Sequence, residues 1–118
     1  MSTLNVSNIS DGTTSVGTGY VVNGSEKCWC VFDGTGTISI TNSLNASSLY
    51  DQGTGDYDIN LTTALNANNG AHVCWSGNFH TSRSSSGSAS TIEIYTANSS
   101  HAASDTSYVV GTTRGDLA

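Results

Sequence analysis

The chain has 118 residues, enough for one domain and too few for two ordinary ones. Nine acids against Lys27, Arg83 and Arg114 leave a formal charge of −6, which excludes a nucleic-acid partner, because counterion release from phosphates needs several clustered Lys or Arg, and disfavours anionic membranes for the same reason. Charged residues are only 10% and Ser, Thr, Asn and Gly fill about half the positions, yet proline is absent and two Trp, two Phe and five Tyr are spread along the chain, so the composition reads as a folded domain with a thin core rather than as disorder.

Residues 1–19 contain one alternating stretch, Leu4-Asn5-Val6-Ser7-Asn8-Ile9, followed by Asp11-Gly12 and a Gly17-Thr18-Gly19 turn. Leu4, Val6 and Ile9 are the interface candidates of this stretch, since three apolar residues cannot hold an extended arm by themselves. The arm is expected to pack on the main domain, on a sister subunit or on a particle surface. It has neither a basic n-region nor an apolar h-region, and no apolar run reaches the ~20 residues of a spanning helix. Synthesis in a cytoplasm without membrane insertion is the expectation.

From residue 20 onward the strand signals come close together. Tyr20-Val21-Val22 reads as a strand, and Asn23-Gly24 as a tight hairpin turn into residues 27–33. Residues 37–41 alternate with Ile38 and Ile40 inward, and residues 56–62 with Tyr57, Ile59 and Leu61 inward. Residues 71–79, 91–96 and 107–111 follow. No window of helical length has a 3.6-residue period with caps, and residues 61–67 allow one turn of helix at most. The pattern predicts an all-β fold, a small antiparallel β-sandwich or jelly-roll-like domain over residues 20–118 with an extended N-terminal segment.

The strand at residues 27–32 differs from the rest. Cys28, Cys30 and Phe32 point one way, Trp29 and Val31 the other, so both faces are apolar and both call for cover. Trp29 and Val31 therefore join the interface candidates, covered either by the N-terminal segment, by another subunit or by the chain's own loops. The Ser-rich run at residues 80–90 reads as a surface loop, with His80, Arg83 and Ser85 as receptor-facing candidates and a partnerless hairpin connection as the plainer alternative.

Candidate chemistry is sparse. Cys28 and Cys30 with His72 and Cys74 could surround a zinc ion if their strands were neighbours, but alternate strand residues diverge where zinc modules use C-x2-4-C turns. Buried thiols in a reducing compartment explain the cysteines without metal or disulfide. His72, His80 and His101 stand in no nucleophile motif. Asp51, Asp56, Asp58 and Glu93 could supply a glycosidase pair or oxygen ligands for calcium, but Asp56 and Asp58 read as solvated positions. Gly34-Thr35-Gly36 and Gly53-Thr54-Gly55 precede no helix and are turns, not phosphate loops. Trp29, Trp75 and Tyr95 offer a sugar-stacking platform or, more simply, core aromatics. No enzymatic activity and no cofactor is expected.

The motif Lys27-Cys28-Trp29-Cys30-Val31-Phe32-Asp33-Gly34-Thr35-Gly36-Thr37-Ile38, answered by Gly53-Thr54-Gly55-Asp56-Tyr57-Asp58-Ile59-Asn60-Leu61, resembles a strand pair of tail-fibre-like virion proteins of marine bacteriophages. Met1-Ser2-Thr3-Leu4, Val22-Asn23-Gly24-Ser25 and Ser43-Leu44-Asn45-Ala46-Ser47-Ser48 extend the likeness over the first half of the chain. Cys28 and Cys30 stand where such proteins carry small or aliphatic residues, which argues against a shared zinc role. The resemblance implies a non-enzymatic virion structural protein, made in the host bacterial cytoplasm, displayed on the particle as a homotrimer and partnered by capsid or tail proteins. A start at Met1 favours a short fibre, spike or capsid decoration protein over a whole tail fibre. Host attachment through a surface glycan or receptor, or a free lectin module, are the alternatives.

Overall fold

The computed structural model describes residues 1–68, 70–77 and 81–118, with residues 81–87 described by their backbone alone. A small hairpin, β1 (Asn8–Ser10) and β2 (Ser15–Gly17), leads into a short helix, α1 (Thr18–Gly24). Eight strands follow: β3 (Glu26–Asp33), β4 (Ser39–Leu44), β5 (Ala46–Gly53), β6 (Asp56–Leu61), β7 (Ala71–Ser76), β8 (Thr81–Ser88), β9 (Thr91–Ala97) and β10 (Val109–Arg114). They form two four-stranded sheets, ordered β4-β3-β10-β7 and β5-β6-β9-β8, with every pairing antiparallel. The expected all-β sandwich is the observed architecture.

The core follows from period-two patterning. Along β3, β6 and β9 every second residue is buried, which brings Cys28, Cys30 and Phe32 against Tyr57, Ile59, Ile92 and Ile94 of the facing sheet. Phe32 meets Tyr57 edge-on, with ring centroids 5.3 Å apart and planes at 73°, the arrangement that the ring quadrupoles favour. Gly111 in β10 is where the facing sheet presses closest, since a Cβ there would lie 2.7 Å from Ile59 Cδ1. Each such fully buried aliphatic side chain stabilises the fold by about 2 kcal/mol.

Two joints hold the sheets in register. The first is Asn45, the single residue between β4 and β5, where the chain changes sheet with φ at 58°. Its side-chain amide donates to the carbonyls of Lys27 (3.0 Å) and Thr63 (2.9 Å), and its Oδ1 accepts from the Thr63 amide at 2.7 Å. Asn tolerates the left-handed conformation better than other side chains, and here its amide ties β3 to the end of β6. The second joint unites the two Gly-Thr-Gly turns. Tyr57 donates its hydroxyl proton to Asp105 Oδ1 at 2.8 Å and lies 3.0 Å from the Gly34 carbonyl, while Asp105 Oδ1 also accepts from the Gly55 amide at 2.7 Å. Gly34 has no room for a side chain, because a Cβ would lie 2.6 Å from the Tyr57 ring.

The structure departs from the sequence expectations at four places. Tyr20-Val21-Val22 and Asn23-Gly24 lie in α1 rather than in a strand and a hairpin turn, and among the described residues no strand pairs with them. The Ser-rich run forms β8, because an edge strand needs only a backbone ladder with β9 and no apolar face. β5 was not anticipated, its Ala46, Leu49 and Tyr50 lacking alternation. Residues 62–66 form bends, with Leu65 bridging to Leu117, and no turn of helix.

Candidate interaction surface

The strand pairings fix which side chains share the outer face of the β4-β3-β10-β7 sheet. Residues directly opposite in antiparallel strands point to the same side, so one row runs Leu44, Trp29, Thr112, Val73 and the next runs Asn42, Val31, Val110, Trp75. Tyr108 packs beside Trp75, with ring centroids 5.1 Å apart. Trp29 and Val31 at the centre are half-buried by their neighbours, whereas Val73, Trp75, Leu44 and Tyr108 are 54%, 51%, 48% and 43% exposed. The Arg114–Glu26 ion pair (2.7 Å) borders this face at one end of β10. Trp29 and Val31 thus lie where the alternation put them, at the centre of an apolar plaque. Leu44 belongs to it through the pairing of β3 with β4, and Val73 and Tyr108 through the non-local pairing of β10 with both β3 and β7.

Residues 1–24 form a second apolar region. β1, β2 and α1 pack on one another and not across a face of either sheet, and α1 contains no buried residue. Leu4, Val6, Ile9, Val16, Tyr20, Val21 and Val22 are all exposed. An open cavity of about 540 Å³ lies here, lined by Gly17, Gly19, Tyr20, Asn23 and Gly24. The hairpin itself is well made. Asp11 Oδ1 accepts from the Thr13 and Thr14 amides at 2.9 and 2.8 Å, and these bonds, that from Thr14 foremost, hold its carboxyl below the ordinary value. The end of α1 is tied to β3 through Lys27, whose Nζ donates to the carbonyls of Val22 and Ser25 and to Ser25 Oγ.

The opposite outer face, on β5-β6-β9-β8, is polar and acidic. Tyr50, Asp58 and Glu93 stand in one row, and Asp56 opposes Tyr95 in the next. Gln52 donates to Asp58 Oδ2 at 2.8 Å, and Asp58 Oδ1 is buried with no hydrogen-bond partner. Burial and then the charges of Asp58, Glu93 and Asp51 raise the Asp56 carboxyl above its ordinary value. Because Tyr95 faces outward on this sheet and Trp29 and Trp75 on the other, the three aromatics do not form one sugar-stacking platform.

The cysteine and histidine candidates all point inward. Cys28, Thr113 and His72 make one row and Cys30, Gly111 and Cys74 the next, so β10 separates each cysteine of β3 from its counterpart in β7. Two strand spacings are about 9.6 Å, too far for one zinc with ligands at ~2.0–2.3 Å. Among the described residues, no group of three His, Cys, Asp or Glu could hold a metal ion. Burial pushes the Cys28 thiol up to about 11 and the Cys30 thiol to about 12, which makes both poor nucleophiles. His72 is lowered by burial, and both its ring nitrogens are enclosed without a hydrogen-bond partner. Of the receptor-loop candidates, His80 lies outside the described residues, and Arg83 and Ser85 lie in β8 with side chains outside them. In comparisons with protein-family models, with curated proteins and with solved structures, nothing matches the chain.

Proposed function

We propose that this chain is a non-enzymatic structural protein of a bacteriophage virion, a short fibre, spike or capsid decoration subunit that assembles as a homotrimer on the particle surface. The observation that carries the reading is the pair of uncovered apolar regions, the plaque around Trp29 and Trp75 and the segment from Leu4 to Val22. Contiguous exposed apolar surface on a small domain marks a contact with another macromolecule. Catalysis finds less support: the Cys28 and Cys30 thiols are buried, His72 faces the core, and Asp58 and Glu93 stand on the outer face of a sheet. The resemblance of the Lys27 to Ile38 and Gly53 to Leu61 motifs to tail-fibre-like virion proteins supports this location, with capsid or tail proteins as further partners. Native mass spectrometry of the full chain should give a trimer, and antibody labelling of phage particles should place it outside the capsid or on the tail. A chain absent from purified particles would overturn the virion reading.

Host attachment is a second reading, and the polar face favours it. Tyr50 is 59% exposed beside Gln52, Asp58 and Asn60, an aromatic ring with hydrogen-bonding neighbours of the kind that sugars stack on. Loss of host-cell binding in Tyr50→Ala, with assembly intact, would support attachment through a surface glycan.

A further inference from the structure

The chain holds two apolar regions that need cover, and neither covers the other. Geometry gives the reason. Only Ser25 separates α1 from β3, and the bonds of Lys27 to Val22 and Ser25 fasten the end of the helix to the start of the strand. The protein measures 50 Å in its longest dimension against 29 and 23 Å in the others, while an eight-residue strand spans only about 27 Å. Residues 1–24 therefore project beyond the sandwich instead of folding back over it. A seven-residue helix with two valines and no buried residue is not stable by itself. Among the described residues nothing covers its valines.

We propose that the N-terminal segment of one copy lies across the outer β4-β3-β10-β7 face of a neighbouring copy, each molecule donating its own segment and receiving another's. This rests on the self-assembly reading above and names the partner of that same face. Area and charge select the occupant. Four strands ~4.8 Å apart carrying two rows of side chains make a plaque on the order of 300–400 Å². A stable specific contact takes about 800 Å² per partner. Two plaques stacked face to face fall short of that and leave both segments bare, whereas donated segments cover both regions and, summed over the contact each molecule gives and the one it receives, double the area it buries.

Charge points the same way. Asp11 is the one charged side chain in residues 1–24 of a chain with a formal charge of −6. The segment can approach another copy without the repulsion that the Asp56, Asp58 and Glu93 face would meet. Donor and acceptor surfaces differ, so segments can be exchanged reciprocally between two copies or passed round a closed ring, and the ring of three is the form that the proposed homotrimer takes.

Two experiments on the full-length chain test the exchange. In the first, a photo-crosslinking amino acid replaces Leu4, and this protein is mixed with isotope-labelled wild type. Crosslinks joining the unlabelled segment to labelled β3 or β7 are expected; crosslinks confined to one isotopic form, or to the acidic sheet, would overturn the exchange. In the second, Leu4→Ser/Val6→Ser and Val73→Thr/Trp75→Ser are each expected to be folded monomers by circular dichroism and native mass spectrometry. Mixing them should restore a one-to-one dimer, because the intact segment of one meets the intact face of the other. Full oligomers from either variant alone would sink the idea. A monomer that still decorates phage particles would refute the exchange and leave the virion reading standing, and an exchanged oligomer missing from particles would do the reverse.

Discussion

On β3 the outward positions between the buried ones are Trp29 and Val31, flanked by Lys27 and Asp33 at the strand ends; on β6, the matching strand of the other sheet, they are Asp56, Asp58 and Asn60. The inner faces of the same two strands are alike in kind, with Cys28, Cys30 and Phe32 on one and Tyr57, Ile59 and Leu61 on the other. The core thus fixes the fold without distinguishing the sheets, and the outward positions separate their tasks. An acidic face stays in water, where hydration and mutual repulsion keep copies apart. An apolar face of the same extent is stable only when covered. The sandwich is therefore two-sided, with one outer face apolar and the other polar and acidic.

The contrast has meaning only if both faces ride on one rigid core, and Asn45 offers the most severe test of that. Asn45→Ala would lose three amide hydrogen bonds, each worth about 1 kcal/mol, and would force a residue with no local compensation into φ 58°, at about 1 kcal/mol more. Urea unfolding is expected to report a loss of about 3–4 kcal/mol in a single transition. Asn45→Gly should be milder, since glycine relieves the backbone term. Two separate transitions would mean that the sheets, and hence the two faces, behave as independent units.

The next largest effect is on assembly. Trp75→Ser should weaken self-association at least tenfold, corresponding to about 1.4 kcal/mol, because it removes the largest exposed side chain of the plaque. Tyr50→Ser, at a comparably exposed aromatic on the acidic side, should leave association unchanged. Sedimentation equilibrium of the two variants decides the matter, and equal weakening by both would erase the distinction between the faces.

The inner faces were far easier to read in the sequence than this contrast was. Period-two alternation marks Cys28 to Phe32, Tyr57 to Leu61 and Ile92 to Ile94 directly, because burial on one face imposes it. It also gave Trp29 and Val31 as outward positions. It could not give Val73 and Tyr108 as their neighbours, since that depends on β10, near the end of the chain, inserting between β3 and β7. The same insertion dissolves the apparent grouping of Cys28, Cys30, His72 and Cys74. Local propensity misled at Tyr20-Val21-Val22, where β-branched residues occupy a helix, and at Thr81–Ser88, where serines form an edge strand. Asn45 carried a weak signal, an amide between two short apolar stretches, but its left-handed geometry belongs to the sheet crossing and not to the residues beside it.

The interior and the acidic face should also differ in how they respond to pH. Both ring nitrogens of the half-buried His72 are enclosed without a hydrogen bond, and burial lowers its pKa below the ordinary 6.5. The unfolded chain therefore takes up the proton first as pH falls, so the stability contributed by the neutral imidazole is complete above 6.5 and declines below it toward the lowered folded value. Thermal melts should reveal this decline in the wild-type chain, and His72→Leu should flatten it. A variant whose decline is unchanged would assign the titration to another group.

The acidic face should give the smallest effect, with the opposite sign. Burial, then Asp58, Glu93 and Asp51, raise the Asp56 carboxyl above 3.8, so the folded protein binds this proton more readily than the unfolded chain does. The penalty of the charged form is fully present above the raised value and vanishes below 3.8, and stability from this group increases as pH falls through that interval. Asp56→Asn removes the charge while keeping the shape. It should stabilise the protein at neutral pH by about 0.5 kcal/mol, the scale of a like-charge contact relieved across a strand pair, and should leave assembly untouched. High salt should shrink only the part of the gain that relieved repulsion contributes, because exposed charges are screened within a Debye length of ~10 Å at 0.1 M, and should leave the part due to burial. A gain that vanishes in high salt would make repulsion rather than burial the dominant cost at Asp56, and a loss of stability would mean that the acidic face is held by contacts its repulsion conceals.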